Sequence, residues 1–253
     1  MRRFTTILVA VVGVLVIVVV AFLVWANILF QGEREPSLAA WRSNAVEISG
    51  ADDGSWVLEP TSGATDVGLV FVPGAKVHPS AYLFKLSGIV EATGMTVVIT
   101  HPTLNLAFFD TRPLSTFTDH VEGVDRWFVG GHSLGGVRAC QLAGQGLTDA
   151  AADPHVAGVV LFGSYCANDL SDADLAVLSF VGTEDGLSTP ETVAEAAPQL
   201  PDDTVTVLLE GANHASFGDY GPQPGDGVAT IGSDEVRELI AAATAEFVAR
   251  SAP

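Results

Sequence analysis

Apolar and polar positions divide this chain into two unlike parts. From Ile7 to Ala26 there are twenty residues without a charge. A helix of that length spans about 30 Å, the hydrocarbon thickness of a bilayer. Beyond a polar stretch at 31–43, expected to be a connector, apolar runs alternate with helical spacing to the end. Ala45–Ser49 and Ser55–Glu59 read as a strand pair about the turn Gly50-Ala51-Asp52-Asp53-Gly54. Val67–Val72 is a continuous apolar run, as a strand buried on both faces requires. Pro79–Ala92 sets Tyr82, Leu83, Leu86, Ile89 and Val90 along one side of a helix. Strands are then expected at Met95–Ile99, Trp127–Gly130, Val156–Phe162, Leu175–Val181 and Thr204–Leu209. Helices are expected at Ser115–Gly123, Leu134–Gly144, Glu191–Ala197 and Ser233–Ala249, the last with Ser233 as N-cap. Strand and helix in alternation predict an α/β fold, with a mostly parallel sheet covered on both faces. One domain, 44–253, would follow the N-terminal segment 1–30 and the connector 31–43.

The flanks of the apolar run add orientation. Arg2 and Arg3 precede it and Glu33, Arg34 and Glu35 follow it. The positive-inside rule puts the N-terminus in the cytoplasm and the rest outside the cell membrane. A cleaved secretory signal is the competing reading. Its apolar region usually runs to about 7–15 residues; here the run is longer, and Trp25-Ala26-Asn27-Ile28 is a poor cleavage site. A single-pass anchor is the expectation.

Charge narrows the partners. Of 11 basic residues two are Arg2 and Arg3, so the exported part carries 9 against 30 acidic residues, a formal charge of −21. Such a surface repels nucleic acid, which is excluded as a partner. The acidic residues are scattered, which points to solubility rather than to a disordered tail. Cys140 and Cys166 could bridge in an oxidising compartment or simply fill core space. Neither has metal-ligand spacing, and the sequence does not fix the oligomeric state.

The chemistry gathers at Gly131-His132-Ser133-Leu134-Gly135, a G-x-S-x-G sequence between an expected strand and an expected helix. A serine on such a sharp turn has strained backbone, and side chains two positions before and after would clash, hence Gly131 and Gly135. A serine nucleophile needs a base, and the base an orienting acid. Around this elbow the order is serine, acid, histidine. Of six histidines only His155 and His214 follow Ser133. His155 precedes a strand, at the end remote from the elbow. His214 follows the last strand and is the expected base. The turn Val181-Gly182-Thr183-Glu184-Asp185-Gly186 offers the acid: Asp185, with Glu184 as fallback. Asp169, Asp172 and Asp174 more plausibly cap a turn. An oxyanion needs two amide donors. Leu134 supplies one, and Ala75 of the Pro73-Gly74-Ala75-Lys76 loop the other. Lys76 reads as a solvated loop lysine. His101–Asn105 follows a strand and would line the site without taking part in chemistry. Trp41, Trp56 and Trp127 are expected in the core.

Four segments share a further likeness: Phe71–Tyr82, the Gly-His-Ser-Leu-Gly-Gly elbow, Gly182–Leu187 and Gly211–Gly221. Together they resemble the bacterial α/β-hydrolase family 5, a dienelactone-hydrolase-like group, over roughly residues 44–250. The resemblance implies the α/β-hydrolase fold and a Ser133–Asp185–His214 triad. It implies no particular substrate. Dienelactone hydrolases use a cysteine where this chain has Ser133, which argues against that activity.

The segment Gly163–Asp174 is too short for a helical cap domain. The aperiodic stretch His214–Thr230 is expected to pack over the site. The resulting expectation is a membrane-tethered serine hydrolase of carboxylic esters, requiring no cofactor and taking a small or short-acyl ester. An envelope acyltransferase with the same triad, or a non-catalytic tethered binding module, are the rivals.

Overall fold

The computed structural model describes residues 2–148, 154 and 156–251. It opens with helix α1 (Arg2–Ala26), whose side chains are exposed along nearly the whole length. Residues Arg3–Ala26 are long and apolar enough to cross a membrane. The expected connector contains helix α2 (Arg34–Trp41), which lies on the body and buries Ala40. Only Ala40 of its residues is fully buried, and its polar outer positions hide the inward face in the sequence.

The body is one eight-stranded sheet. Its members are β1 (Val46–Gly50), β2 (Trp56–Pro60), β3 (Val67–Val72), β4 (Thr96–Ile99), β5 (Arg126–His132), β6 (Val156–Phe162), β7 (Ala176–Gly182) and β8 (Val205–Leu209). The spatial order is β1-β2-β4-β3-β5-β6-β7-β8. β1 pairs antiparallel with β2, and β2 with β4; all later pairs are parallel. The order reverses at β3, which lies between β4 and β5, so a crevice opens at the carboxyl ends there, where such sheets place their ligands.

Helices α3 (Leu83–Thr93) and α7 (Ser233–Arg250) cover one face; α5 (Leu134–Thr148) covers the other, with α4 (Ser115–Thr118) and α6 (Pro190–Ala196) as short additions. Alternation along β3 makes the two-sided burial explicit. Leu69 and Phe71 enter the core beneath α3 and α7, while Val70 and Val72 join Trp127, Val129 and Cys140 in the other. Each fully buried side chain of this size contributes roughly 1.5–3 kcal/mol. Tyr82, Leu83, Leu86, Ile89 and Val90 are all buried, as the helical spacing requires.

Three expectations need correction. The helix expected over Ser115–Gly123 stops at Thr118, because only Leu114, Phe117 and Thr118 reach the core there. Trp41 is exposed, with only a ring edge against Trp56. Ser233 does not cap α7; Gly232 holds the N-cap position, and the Ser233 hydroxyl turns to Lys85 and Asp219. Cys140 on α5 and Cys166 beyond β6 form a disulfide, their Cα atoms 5.5 Å apart. No helical cap interrupts Gly163–Leu175. His155 lies outside the described residues.

Candidate active site

Ser133 stands where β5 turns sharply into α5, with φ of 52°. A non-glycine residue in this left-handed region is strained, and its neighbours must hold it. The Ser133 amide donates to the Phe162 carbonyl at 3.1 Å, and the Ser164 hydroxyl donates to the Ser133 carbonyl at 2.6 Å. The tightness of the turn explains its glycines. A Cβ on Gly135 would overlap the Val72 carbonyl oxygen, and one on Gly131 would overlap the Gly135 carbonyl group. Ser133 itself is half-buried, and its hydroxyl makes no hydrogen bond among the described residues.

The base and the acid meet at the carboxyl ends of β7 and β8. His214 opens a 3-10 turn (His214–Phe217) whose cap is reciprocal: the Asn213 side chain takes the Ser216 amide while the Ser216 hydroxyl takes the Asn213 amide. His214 Nδ1 lies 2.8 Å from Asp185 Oδ2, both side chains being buried. A carboxylate on Nδ1 assigns the ring proton there and leaves Nε2 as the acceptor. Asp185 Oδ1 in turn accepts the amides of Leu187 and Ser188 at 2.9 and 2.7 Å, which fixes its orientation. Glu184 is exposed and turned away, as are Asp169, Asp172 and Asp174. Of the carboxylates weighed from sequence, only Asp185 reaches the histidine.

His214 is placed beside the elbow by a tilted ring contact. Its ring centroid lies 4.4 Å from that of His132, the residue preceding Ser133. His132 is fully buried; burial first, and the adjacent His214 second, push its pKa well below the usual histidine value. It therefore remains a neutral spacer. Its Nδ1 shares a hydrogen bond of 2.9 Å with the Tyr82 hydroxyl, which also accepts the Gly74 amide at 2.9 Å. Burial pushes the Tyr82 phenol far above its ordinary range, so it keeps its proton.

That network settles which amides of the Pro73–Lys76 loop are available. Gly74 donates to Tyr82 and Lys76 to the Asn105 carbonyl. Among the described residues, nothing accepts a hydrogen bond from the amides of Ala75 or Leu134. These are the two expected donors. Lys76 is not simply solvated: its Nζ sits 4.3 Å from the Trp25 ring centre. No group of three or more His, Cys, Asp or Glu among the described residues is arranged to hold a metal.

The comparisons with known proteins bear on this arrangement. Residues 68–238 match the Alpha/beta hydrolase family. The chain belongs to the α/β-hydrolase family. Two solved structures share the hydrolase's fold. The esterase domain of a Rhodothermus marinus protein matches at 16% identity and a TM-score of 0.51, over 79% of this chain and 97% of that one. The esterase LipW from Mycobacterium marinum matches at 14% identity and a TM-score of 0.58, over 85% and 86% of the two chains. The comparison with curated proteins gives no match.

One residue of the hydrolase's site escaped the sequence reading. The Asp226 carboxylate accepts amides from both catalytic-side loops: Gly186 at 3.2 Å, His214 at 3.0 Å and Ala215 at 2.9 Å, with its own neighbour Gly227 at 2.8 Å. It ties the loop of Asp185 to the loop of His214. The only sequence signal was the Gly-rich stretch returning over the site. Behind the base loop lies a separate 350 Å³ cavity lined by Asn213, Ala215 and Ser216. There Lys85, wholly buried, pairs with Asp219 at 2.7 Å.

Proposed function

We propose that this hydrolase is a membrane-tethered, extracytoplasmic serine esterase that cleaves carboxylic esters through an acyl-enzyme on Ser133. The observation carrying the reading is the buried Asp185–His214 pair packed against His132, next to the strained elbow serine, with two unengaged amides in the loops at the same edge. That is the constellation acyl transfer needs. The two structural neighbours bear esterase in their names, which agrees with an ester substrate.

In this reading His214 Nε2 takes the proton from Ser133 Oγ as that oxygen bonds the ester carbonyl carbon. The Ser133 hydroxyl, unbonded in the free structure, closes on His214 Nε2 when substrate arrives, since catalytic hydrogen bonds are often long or unaligned in unliganded sites and tighten only in the complex. The amides of Ala75 and Leu134 hold the oxyanion. The imidazolium, steadied by Asp185, passes its proton to the departing alcohol oxygen as the carbon–oxygen bond breaks. Water, deprotonated by the same imidazole, then releases the acid. No step calls for a metal or an organic cofactor. The length and apolarity of α1 support tethering, and Arg2 and Arg3 ahead of it support the orientation. The Cys140–Cys166 disulfide agrees with an oxidising compartment.

The test is fluorophosphonate labelling of the full chain, wild type beside Ser133→Ala, with hydrolysis of esters of increasing acyl length. Labelling and turnover should both vanish in the variant, with turnover falling by at least about 10³-fold. Labelling that persists without Ser133 would discard the assignment.

A further inference from the structure

The end of α1 is built into the rim of the site. Helix α1 stops at Ala26, which is buried, and the Asn105 side-chain amide donates to its carbonyl at 3.1 Å. Only Asn27, Ile28 and Leu29 separate it from Phe30, which pairs with the loop holding the expected oxyanion donor. The Phe30 amide donates to the Lys76 carbonyl at 2.8 Å, and the His78 amide to the Phe30 carbonyl at 2.9 Å. Lys76 then reaches back over Trp25. So short a junction, bonded on both sides, allows the body no free swivel about α1.

Strain concentrates in the same place. Among the described residues four non-glycines are left-handed: Ser133, Lys76, Leu104 and Asn105. The last three surround the end of α1. Backbone strain of this kind, about 1–3 kcal/mol per residue, persists only where the surroundings enforce it.

Depth follows from helix geometry. Phe22 lies four residues before the end of α1, about 6 Å down its axis. Its ring meets Phe109 at 5.8 Å, centroid to centroid. Phe109 therefore stands level with the apolar span rather than above it. Beside it Phe108 is 67% exposed and Phe109 itself 48%. Across the same carboxyl edge, Leu187 next to the acid loop and Val228 beyond the base are 39% and 81% exposed. Exposed phenylalanines beside a spanning helix suit the boundary between headgroups and acyl chains, where apolar side chains enter to a depth of about 5–10 Å.

We propose that the carboxyl edge of the sheet rests on the bilayer, with Phe108 and Phe109 inserted beside α1. The Ser133 site then opens at headgroup level and takes an ester of a bilayer-resident amphiphile. This rests on the reading of the chain as a tethered serine esterase. It adds to that reading the source of the substrate: the ester arrives laterally from the membrane, with its scissile carbonyl near the surface. The proposal fixes where the ester resides and leaves the length of its acyl group open.

The experiment uses the full chain in phosphatidylcholine vesicles and two acetate esters, butyl acetate in water and hexadecyl acetate in the bilayer. The acyl group is the same in both, so only the location of the ester differs. With the native cysteines bridged, Phe108→Cys also accepts one thiol-reactive environment-sensitive fluorophore. The expected result is a blue-shifted fluorophore quenched by lipids spin-labelled near the headgroup. The ratio of hexadecyl to butyl acetate turnover should fall at least tenfold in F108S/F109S. An unquenched, water-like fluorophore with an unchanged ratio would overturn the proposal. Fluorophosphonate labelling of Ser133 in the same samples separates the two failures. If Ser133 labels while the fluorophore stays in water, the esterase stands and its orientation is wrong. If Ser133 does not label, the esterase reading fails, and with it the substrate. The fluorophore still decides the orientation.

Discussion

Asp226 touches neither the expected nucleophile nor the carbonyl, yet it fixes the two loops that must stay in register. Its carboxylate draws the amides of His214, Ala215 and Gly186 to one point. Asp226→Ala leaves these three amides and that of Gly227 without an acceptor while leaving Asp185 and His214 in the chain. Hydrogen bonds to a charged group contribute about 1.5–3 kcal/mol each. A partial loss of alignment equal to one of them predicts a roughly 10–100-fold fall in kcat. KM should change little, because Asp226 is placed to hold loops and not substrate. Asp226→Asn, which keeps one acceptor oxygen, should recover part of the rate. A matched set of steady-state kinetics and melting curves checks this: if kcat moves only as far as the folded fraction does, Asp226 is structural alone. The contrast with Ser133 explains what could be read in advance. Ser133, Asp185 and His214 sit in short local patterns whose glycines betray the turn. Asp226 is defined by backbone amides from distant loops, which leave no trace in its own neighbourhood. Lys76 was misjudged for a similar reason, since its partner Trp25 is 51 positions away.

Elements were legible in proportion to how completely their burial follows from their own periodicity. β3 and β6 have the bounds their apolar runs predict, because both faces of each are covered. The strands and helices of the parallel half differ from expectation mostly at their ends, where capping depends on neighbours. The failures were short amphipathic pieces whose inward contacts are few: α2, hidden in a polar stretch, and α4, a single turn where a longer helix was expected. The disulfide belongs to this scale too, because it ties α5 to the loop beyond β6 across 26 positions. Closing a loop of that length in the unfolded chain is worth about 3.5 kcal/mol. Replacing both cysteines by alanine should lower the unfolding free energy by about that amount. Denaturant titration of the oxidised wild type, the reduced wild type and the double variant measures it. The two bridge-free states should coincide, with activity below the transition little changed; an equal midpoint in all three would show that the bridge adds no stability.

On the scale of the whole molecule, charge and tether act against each other. The part beyond Arg3 carries a formal −21, while α1, if it spans the membrane as proposed, holds that part close to a lipid surface. A neutral bilayer leaves that charge without consequence. In the proposed orientation an anionic bilayer would repel the body, and the short bonded junction would turn the repulsion into a torque lifting Phe108 and Phe109 from the surface. The force has the reach of the Debye length, about 30 Å at 0.01 M ionic strength and about 8 Å at 0.15 M. If the carboxyl edge rests on the bilayer as proposed, hydrolysis of hexadecyl acetate at 0.01 M should fall severalfold as phosphatidylglycerol replaces part of the phosphatidylcholine. Raising the ionic strength to 0.15 M or more should restore it. Butyl acetate hydrolysis in the same vesicles should respond to neither change, since its encounter with Ser133 needs no contact with lipid. A loss on both esters alike would point to the chemistry being disturbed, and no loss on either would mean that the site meets its substrate away from the surface.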